Sequence, residues 1–118
     1  NWPARVDLPV ERVNFSVLGE LTFQAPDARR FPSLVLAQQA MEMGGLAGAA
    51  FNAAKEAALD MFLARDIGFL DMARVVDSVL SQIDADEHGH VTLEAVIAMD
   101  RTARKISAQA AKDGLGCN

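Results

Sequence analysis

The sequence predicts an all-α fold: a small four-helix bundle preceded by an extended N-terminal arm that can form short strands. Two observations support this prediction. All four prolines fall within residues 1–32, and this density prevents a long helix there. From Ser33 onward, apolar residues recur with helical spacing and glycines separate the periodic segments. We therefore expect a connecting arm over residues 1–32 and a helical bundle domain over residues 33–118.

The arm is apolar and is patterned like a half-buried strand. Residues 13–17 alternate between apolar and polar side chains, which predicts a short strand. Leu21-Thr22-Phe23 is a second candidate extended segment. Large apolar side chains recur from Val6 to Phe23, so the arm is too apolar to be a free linker.

Two helices are predicted before residue 65. Ser33 is positioned to cap the first, and Gly44-Gly45 ends it because glycine tolerates the left-handed conformation of a helix stop. The second runs from about Ala47 to Ala64 and is apolar on most faces. A helix of this kind is typical of the centre of a bundle.

Two further helices follow Gly68. Asp71 is expected to cap the third, in which Val75, Val76, Val79 and Leu80 belong to a clean amphipathic stripe. Thr92 is expected to cap the fourth. The apolar positions of that fourth helix are Leu93, Val96, Ile97, Ala103 and Ile106.

Composition excludes several classes of function. The net charge is −5 and no Lys/Arg cluster is present, so a nucleic-acid partner is not expected. No apolar run approaches the roughly 18 residues that cross a bilayer, so a membrane partner is not expected either. A single cysteine, Cys117, fits a reducing compartment such as the cytoplasm. The chain begins with Asn1 rather than Met, and we expect it to be a piece of a longer protein.

Residues 84–95 imitate a calcium-binding EF-hand loop. Asp84 and Asp86 occupy the first and third positions, and Gly89 occupies the sixth. The twelfth position is Ala95, where an EF-hand needs a Glu that binds the ion through both oxygens. This departure favours a solvated interhelical loop. A stand-alone helical binding module remains the alternative function, and EF-hand-like calcium binding at residues 84–95 is one form of it.

His88 and His90 lie two residues apart near these aspartates, a composition that can hold zinc or nickel. Such a site still needs further convergent ligands, and Cys117 is the only thiol in the chain. We therefore predict no functional metal site at these residues. Motifs for a hydrolytic nucleophile, a Walker loop or a dinucleotide-binding loop are absent as well, so we predict no cofactor-binding or catalytic residue in this chain.

Three polar residues interrupt the second predicted helix. Asn52 and Glu56 are four residues apart and share a face, and Lys55 lies beside them. They are candidate contact residues for another domain. A solvated stripe explains the same pattern equally well, and the sequence alone leaves both interpretations open.

Several strings, taken in order, resemble the C-terminal region of the 1-deoxy-D-xylulose 5-phosphate reductoisomerase family. The resemblance spans residues 2 to about 80 and returns faintly at Asp100, Ala103 and Arg104. The family commonly has Asn where Lys55 stands, so this chain departs from the family at one of the candidate contact residues. The strings are Trp2-Pro3-x-Arg5-Val6, Leu18-Gly19-x-Leu21-Thr22-Phe23-x-Ala25-Pro26-Asp27, Arg30-Phe31-Pro32-x-Leu34, Asn52-Ala53-Ala54-x-Glu56 and Ile67-Gly68-Phe69-Leu70-Asp71.

The resemblance implies a three-domain bacterial, cytoplasmic parent enzyme. In that parent, upstream domains bind NADPH, a divalent metal (Mg or Mn) and the phosphorylated sugar, and the C-terminal helices buttress the catalytic domain of the same polypeptide. The family also implies a homodimer. Its metal, substrate and cofactor residues belong to segments upstream of Asn1, so this chain is expected to be inactive alone.

Overall fold

In the computed structural model, which describes residues 2–4, 6–86 and 91–114, the chain is all-α. These described ranges contain helices and no β-strand, so the predicted fold class is confirmed. The last four helices correspond to the four that the sequence predicts. The helices are α1 Phe15–Leu18, α2 Pro32–Met43, α3 Ala47–Leu63, α4 Asp71–Leu80 and α5 Leu93–Lys112.

Helix α3 is the centre of the bundle, as its apolar circumference predicts. It packs against α2, α4 and α5. Its buried side chains are small, because every one of them is an alanine: Ala47, Ala50, Ala53, Ala54 and Ala58. The amphipathic stripe of α4 completes this core, and Val75, Val76, Val79 and Leu80 are all buried as predicted.

Helix α5 buries only part of the face that its apolar residues predict. Ala103 is buried, and Val96 and Ile106 pack against the core partly buried, but Leu93 and Ile97 are exposed. The buried residues are Ala95, Met99, Ala103 and Ser107. The hydroxyl of Ser107 donates a 2.8 Å hydrogen bond to the carbonyl of Ala103, so this buried polar group is satisfied. Three of the four buried side chains of α5 are small, and α5 packs against α3.

The helix ends agree in part with the predicted caps. The Oγ1 atom of Thr92 accepts a 3.2 Å hydrogen bond from the Ala95 N–H, as expected of an N-cap. The prediction for Ser33 is wrong, because α2 begins one residue earlier at Pro32, a residue suited to a first helical position. Asp71 is the first residue of α4 rather than its cap, and its carboxylate accepts a 3.0 Å hydrogen bond from the Gly68 N–H.

The turn between α2 and α3 is in close backbone contact with the segment that follows α4. Gly44 ends α2 at a φ of 69°, and Gly45 follows at 49°. A Cβ atom on Gly45 would lie 2.5 Å from the carbonyl oxygen of Ala85. The same oxygen accepts a 3.0 Å hydrogen bond from the Leu46 N–H. The Gly44-Gly45 turn therefore packs directly on the segment that follows α4.

The strand predicted at residues 13–17 is wrong, because that segment forms α1. Asn14 caps this single turn by accepting a 3.0 Å hydrogen bond from the Ser16 N–H, and Gly19 ends it at a φ of 71°. These local bonds satisfy backbone groups that a strand would pair with a neighbour. Leu21-Thr22-Phe23 has no regular secondary structure.

The segment before α2 leaves its large apolar side chains exposed to solvent. Among the residues that the structure describes, no helix is long and apolar enough to cross a membrane. Within the described residues, nothing covers the exposed side chains of the segment before α2. They are Trp2, Val6, Leu8, Val10, Val13, Phe15, Val17, Leu18, Leu21, Phe23 and Phe31.

Candidate functional site

Asn52 and Glu56 form part of a polar network that joins α3 to α5. The Asn52 amide donates a 3.0 Å hydrogen bond to Glu56 Oε1. Arg104 of α5 donates to Glu56 Oε2 at 2.6 Å. The same guanidinium donates to both carboxylate oxygens of Asp100, through Nε at 2.9 Å and through a terminal nitrogen at 3.2 Å. The arginine is thereby held in one orientation between two carboxylates.

The network stabilises the charged forms of Glu56 and Arg104. The hydrogen bond from Arg104 lowers the pKa of Glu56 below its ordinary value of 4.5, and the bond from Asn52 acts in the same direction. The hydrogen bond to Asp100, and to a lesser extent the one to Glu56, raises the pKa of Arg104. Glu56 is therefore ionised at neutral pH and presents a fixed negative charge at the surface.

Lys55 stands beside this network rather than within it. All three candidate contact residues, Asn52, Lys55 and Glu56, are exposed. The positive charge of Lys55 contributes to the lowered pKa of Glu56 only as a weak, long-range effect. The structure thus brings Asn52 and Glu56 together and leaves Lys55 as a separate cation on the same helix.

The two α5 residues of this network, Asp100 and Arg104, were not predicted as contact residues from the sequence. A signal for them was present. The two residues are four apart with opposite charges, a spacing that places them on one helix face. The faint return of the family resemblance also falls on these positions. Neither feature identifies Glu56 as the partner, because that contact joins residues 48 positions apart in the chain.

The side chains that could bind a metal are not clustered in the part of the chain that the structure describes. No group of three or more His, Cys, Asp or Glu side chains lies together there. Asp84 accepts a 3.0 Å hydrogen bond from the Asp86 N–H, and Ala95 at the last loop position is buried. His88, His90 and Cys117 lie outside the described residues. No described residue is therefore given a role in holding a catalytic metal.

The glycine-containing segment Gly44-Gly45-Leu46-Ala47-Gly48 is no nucleotide-binding loop. It joins the end of α2 to the start of α3, whereas a dinucleotide-binding glycine loop follows a strand. The candidate site is therefore the exposed polar network between α3 and α5.

Comparison with known proteins identifies the family. A family model described as the DXP reductoisomerase C-terminal domain matches residues 1–106. The chain belongs to this family. The predicted resemblance is thus confirmed, and the chain is a reductoisomerase C-terminal domain.

The curated relatives are bacterial reductoisomerases much longer than this chain. The chain is 55% identical over 114 residues to the 1-deoxy-D-xylulose 5-phosphate reductoisomerase of a strain of Cereibacter sphaeroides, covering 94% of this chain and 29% of the relative. It is 51% identical over 108 residues to that of Ruegeria pomeroyi, covering 89% of this chain and 27% of the relative. The chain therefore spans less than a third of these enzymes.

Two solved reductoisomerase structures are similar to the chain in fold. The structure from Zymomonas mobilis in complex with NADPH has a TM-score of 0.80 and 38% identity, covering 94% of this chain and 29% of that one. A DOX-P reductoisomerase in complex with magnesium has a TM-score of 0.83 and 31% identity, covering 97% of this chain and 30% of that one.

The network on this reductoisomerase domain predicts a pH-dependent stability. In the folded state the pKa of Glu56 lies below its ordinary value of 4.5, so the unfolded chain binds more protons near that pH. The contribution of Glu56 to the free energy of unfolding is therefore present above this pH range. It is lost as the pH falls through the folded pKa. We expect Glu56→Gln to flatten this part of the pH dependence in urea unfolding.

Glu42→Gln is the matched control for this measurement. Glu42 accepts a 2.9 Å hydrogen bond from Gln38 on its own helix. The control therefore removes the same charge without breaking the contact between α3 and α5. Equal pH dependence of the two variants would show that the Glu56–Arg104 pair does not stabilise the bundle.

Proposed function

We propose that this chain is the structural domain of an NADPH-dependent enzyme that converts 1-deoxy-D-xylulose 5-phosphate to 2-C-methyl-D-erythritol 4-phosphate in isoprenoid biosynthesis. The chemistry belongs to the upstream domains of the parent polypeptide. This chain supports the catalytic domain through a connecting arm over residues 1–32 and a bundle over residues 33–118.

The observation that carries the proposal is the exposed apolar arm. The solved reductoisomerases match 94% and 97% of this chain, which leaves less than a tenth of it unmatched. A match of that extent reaches into the arm as well as the bundle. Side chains such as Phe15 and Phe23 are 78% and 88% exposed in this arrangement. A surface of the upstream catalytic domain is the natural cover for them.

The network on α3 and α5 supplies a second, polar contact in this proposal. Hydrogen bonds already hold the Asn52 and Glu56 side chains in place, so docking immobilises few additional rotamers. Lys55 contributes a cation to the same face. The three residues Asn52, Lys55 and Glu56 would then meet polar groups of the catalytic domain around the apolar contact made by the arm.

The cofactors, like the chemistry, are assigned to the upstream domains of the parent rather than to this chain. NADPH and a divalent metal, Mg or Mn, bind to the upstream part of the parent. Residues of this chain orient the catalytic domain and take no part in hydride transfer. A homodimeric parent in the bacterial cytoplasm completes the proposal, and it is consistent with the bacterial sources of the relatives.

Turnover tests this assignment. The intact polypeptide should oxidise NADPH when supplied with 1-deoxy-D-xylulose 5-phosphate and Mg²⁺ or Mn²⁺. The 118-residue chain, verified by intact mass, should show no turnover under the same conditions because it lacks a nucleotide-binding loop. The assignment is overturned by an intact polypeptide that leaves this substrate unchanged, or by turnover from the short chain.

A further inference from the structure

Helix α2 carries apolar residues on two opposite faces. Leu36 and Ala40 are buried against the bundle. Leu34 and Met41 are 54% and 81% exposed, and at about 100° per residue they lie on the other side of the helix. A helix with one partner needs only one apolar face. The sequence of α2 is therefore suited to contact a second body in addition to its own bundle.

This outer face continues onto the start of α4. A concavity of about 250 Å³ is lined by Phe31 and Leu34 on one side and by Phe69, Leu70 and Met72 on the other. A neighbouring groove of about 440 Å³ has Val35, Leu36 and Ala73 among its walls. Leu34 also lines a concavity together with Met41. We call the exposed residues of this region the α2–α4 surface: Phe31, Leu34, Val35, Met41, Phe69 and Leu70.

The α2–α4 surface is continuous with the arm. Helix α2 begins at Pro32, directly after the arm, and Ala28 of the arm lines the larger groove. Any body attached to the far end of the arm is tethered close to this surface. A tether raises the effective concentration of its body to the millimolar range. The position of the surface therefore favours an occupant that belongs to the same polypeptide.

We propose that the α2–α4 surface is a second docking surface for the upstream part of the same polypeptide, separate from the polar network on α3 and α5. The proposal rests on the proposed function, because it takes the upstream catalytic domain as its occupant. About 70% of the length of the matched relatives lies outside the region aligned with this chain, so a large body exists in them to cover the surface. A second copy of the chain is the weaker candidate. Each copy carries a net charge of −5 and would have to bind from solution.

Oxidative footprinting of the intact polypeptide tests this proposal, with Met41 as the probe. Hydroxyl radicals modify accessible side chains, and mass spectrometry gives the rate at each residue. Rates in the digested, unfolded peptides provide the reference for intrinsic reactivity. Met99 is only 2% exposed and sets the fully protected limit. Leu93 is exposed on α5, which does not contact α2, and it is the matched accessible control.

We expect Met41 to be as strongly protected as Met99, while Leu93 stays reactive and Phe23 of the arm is protected too. Reactive Met41 with protected Phe23 would overturn the proposal and leave the proposed function standing. Reactivity at both Met41 and Phe23 would overturn the proposed function as well. Protection of Met41 that disappears on dilution would assign the surface to a second copy and would also overturn the proposal.

Discussion

The substitution Val76→Asp is expected to unfold the bundle. Val76 is buried in α4 within the cluster that joins α2, α3, α4 and α5. Removing a buried valine costs about 1.5–3 kcal/mol. An unpaired carboxylate in the same place adds a penalty of several kcal/mol, since a buried charge without a partner is strongly unfavourable. The sum approaches the whole stability of a small domain, which is about 5–15 kcal/mol.

The measurement is far-ultraviolet circular dichroism with a thermal melt of the 118-residue chain. Val17→Asp is the matched control, because the same replacement is made at a helical position that is 81% exposed. We expect the control to keep the helical signal and the melting temperature. A Val76→Asp chain that melts like the control would show that the packing of α4 described above is incorrect.

The bundle could be predicted from the sequence because local signals and tertiary packing agree there. The stripe of α4 repeats large apolar residues at helical spacing, and Val75, Val76, Val79 and Leu80 are the residues that are buried. Gly44 ends α2 as expected, and Thr92 caps α5 as expected. In the stripe of α4, the same residues favour the local conformation and form the core.

Helix α5 shows why the buried face of a helix is harder to predict. Periodicity gives most weight to large apolar residues such as Leu93 and Ile97, yet both are exposed. The face of α5 that packs against the bundle includes the small side chains of Ala95 and Ser107, which the predicted set lacks. The shape of α3 determines which face of α5 is buried, and the sequence of α5 alone does not contain that information.

The prediction for the arm was wrong, and the prediction for the polar network was incomplete, for a related reason. The alternation over residues 13–17 predicts a strand, but Asn14 and Gly19 favour a capped turn, and no neighbouring strand competes within the described residues. Asn52 and Glu56 were identified from their spacing. Their partner Arg104 comes from another helix, so only the folded structure joins the three.

A second large effect is expected in the arm of the intact polypeptide. Phe15→Ser and Phe23→Ser, made together, remove two of its most exposed apolar side chains. If the arm docks on the catalytic domain, each phenylalanine contributes about 1.5–3 kcal/mol through its burial. The pair then contributes about 3–6 kcal/mol to docking, and each 1.4 kcal/mol corresponds to about a tenfold change in an equilibrium. The docked state should therefore be weakened by about a hundredfold or more.

The matched control is Leu93→Ser, which removes an exposed apolar side chain from the bundle at a position that does not border α2. Both variants should retain the helical circular dichroism of the bundle, since none of the three side chains belongs to its core. Any difference between them in turnover then reports on the docking of the arm rather than on folding of the bundle.

The rate of NADPH oxidation by the intact polypeptide carrying Phe15→Ser and Phe23→Ser is the measurement that tests the supporting role most directly. With 1-deoxy-D-xylulose 5-phosphate and a divalent metal, we expect this variant to lose most of its turnover while Leu93→Ser keeps it. Full turnover by the double variant, with its bundle folded, would contradict a role for this chain in holding the catalytic domain through its arm.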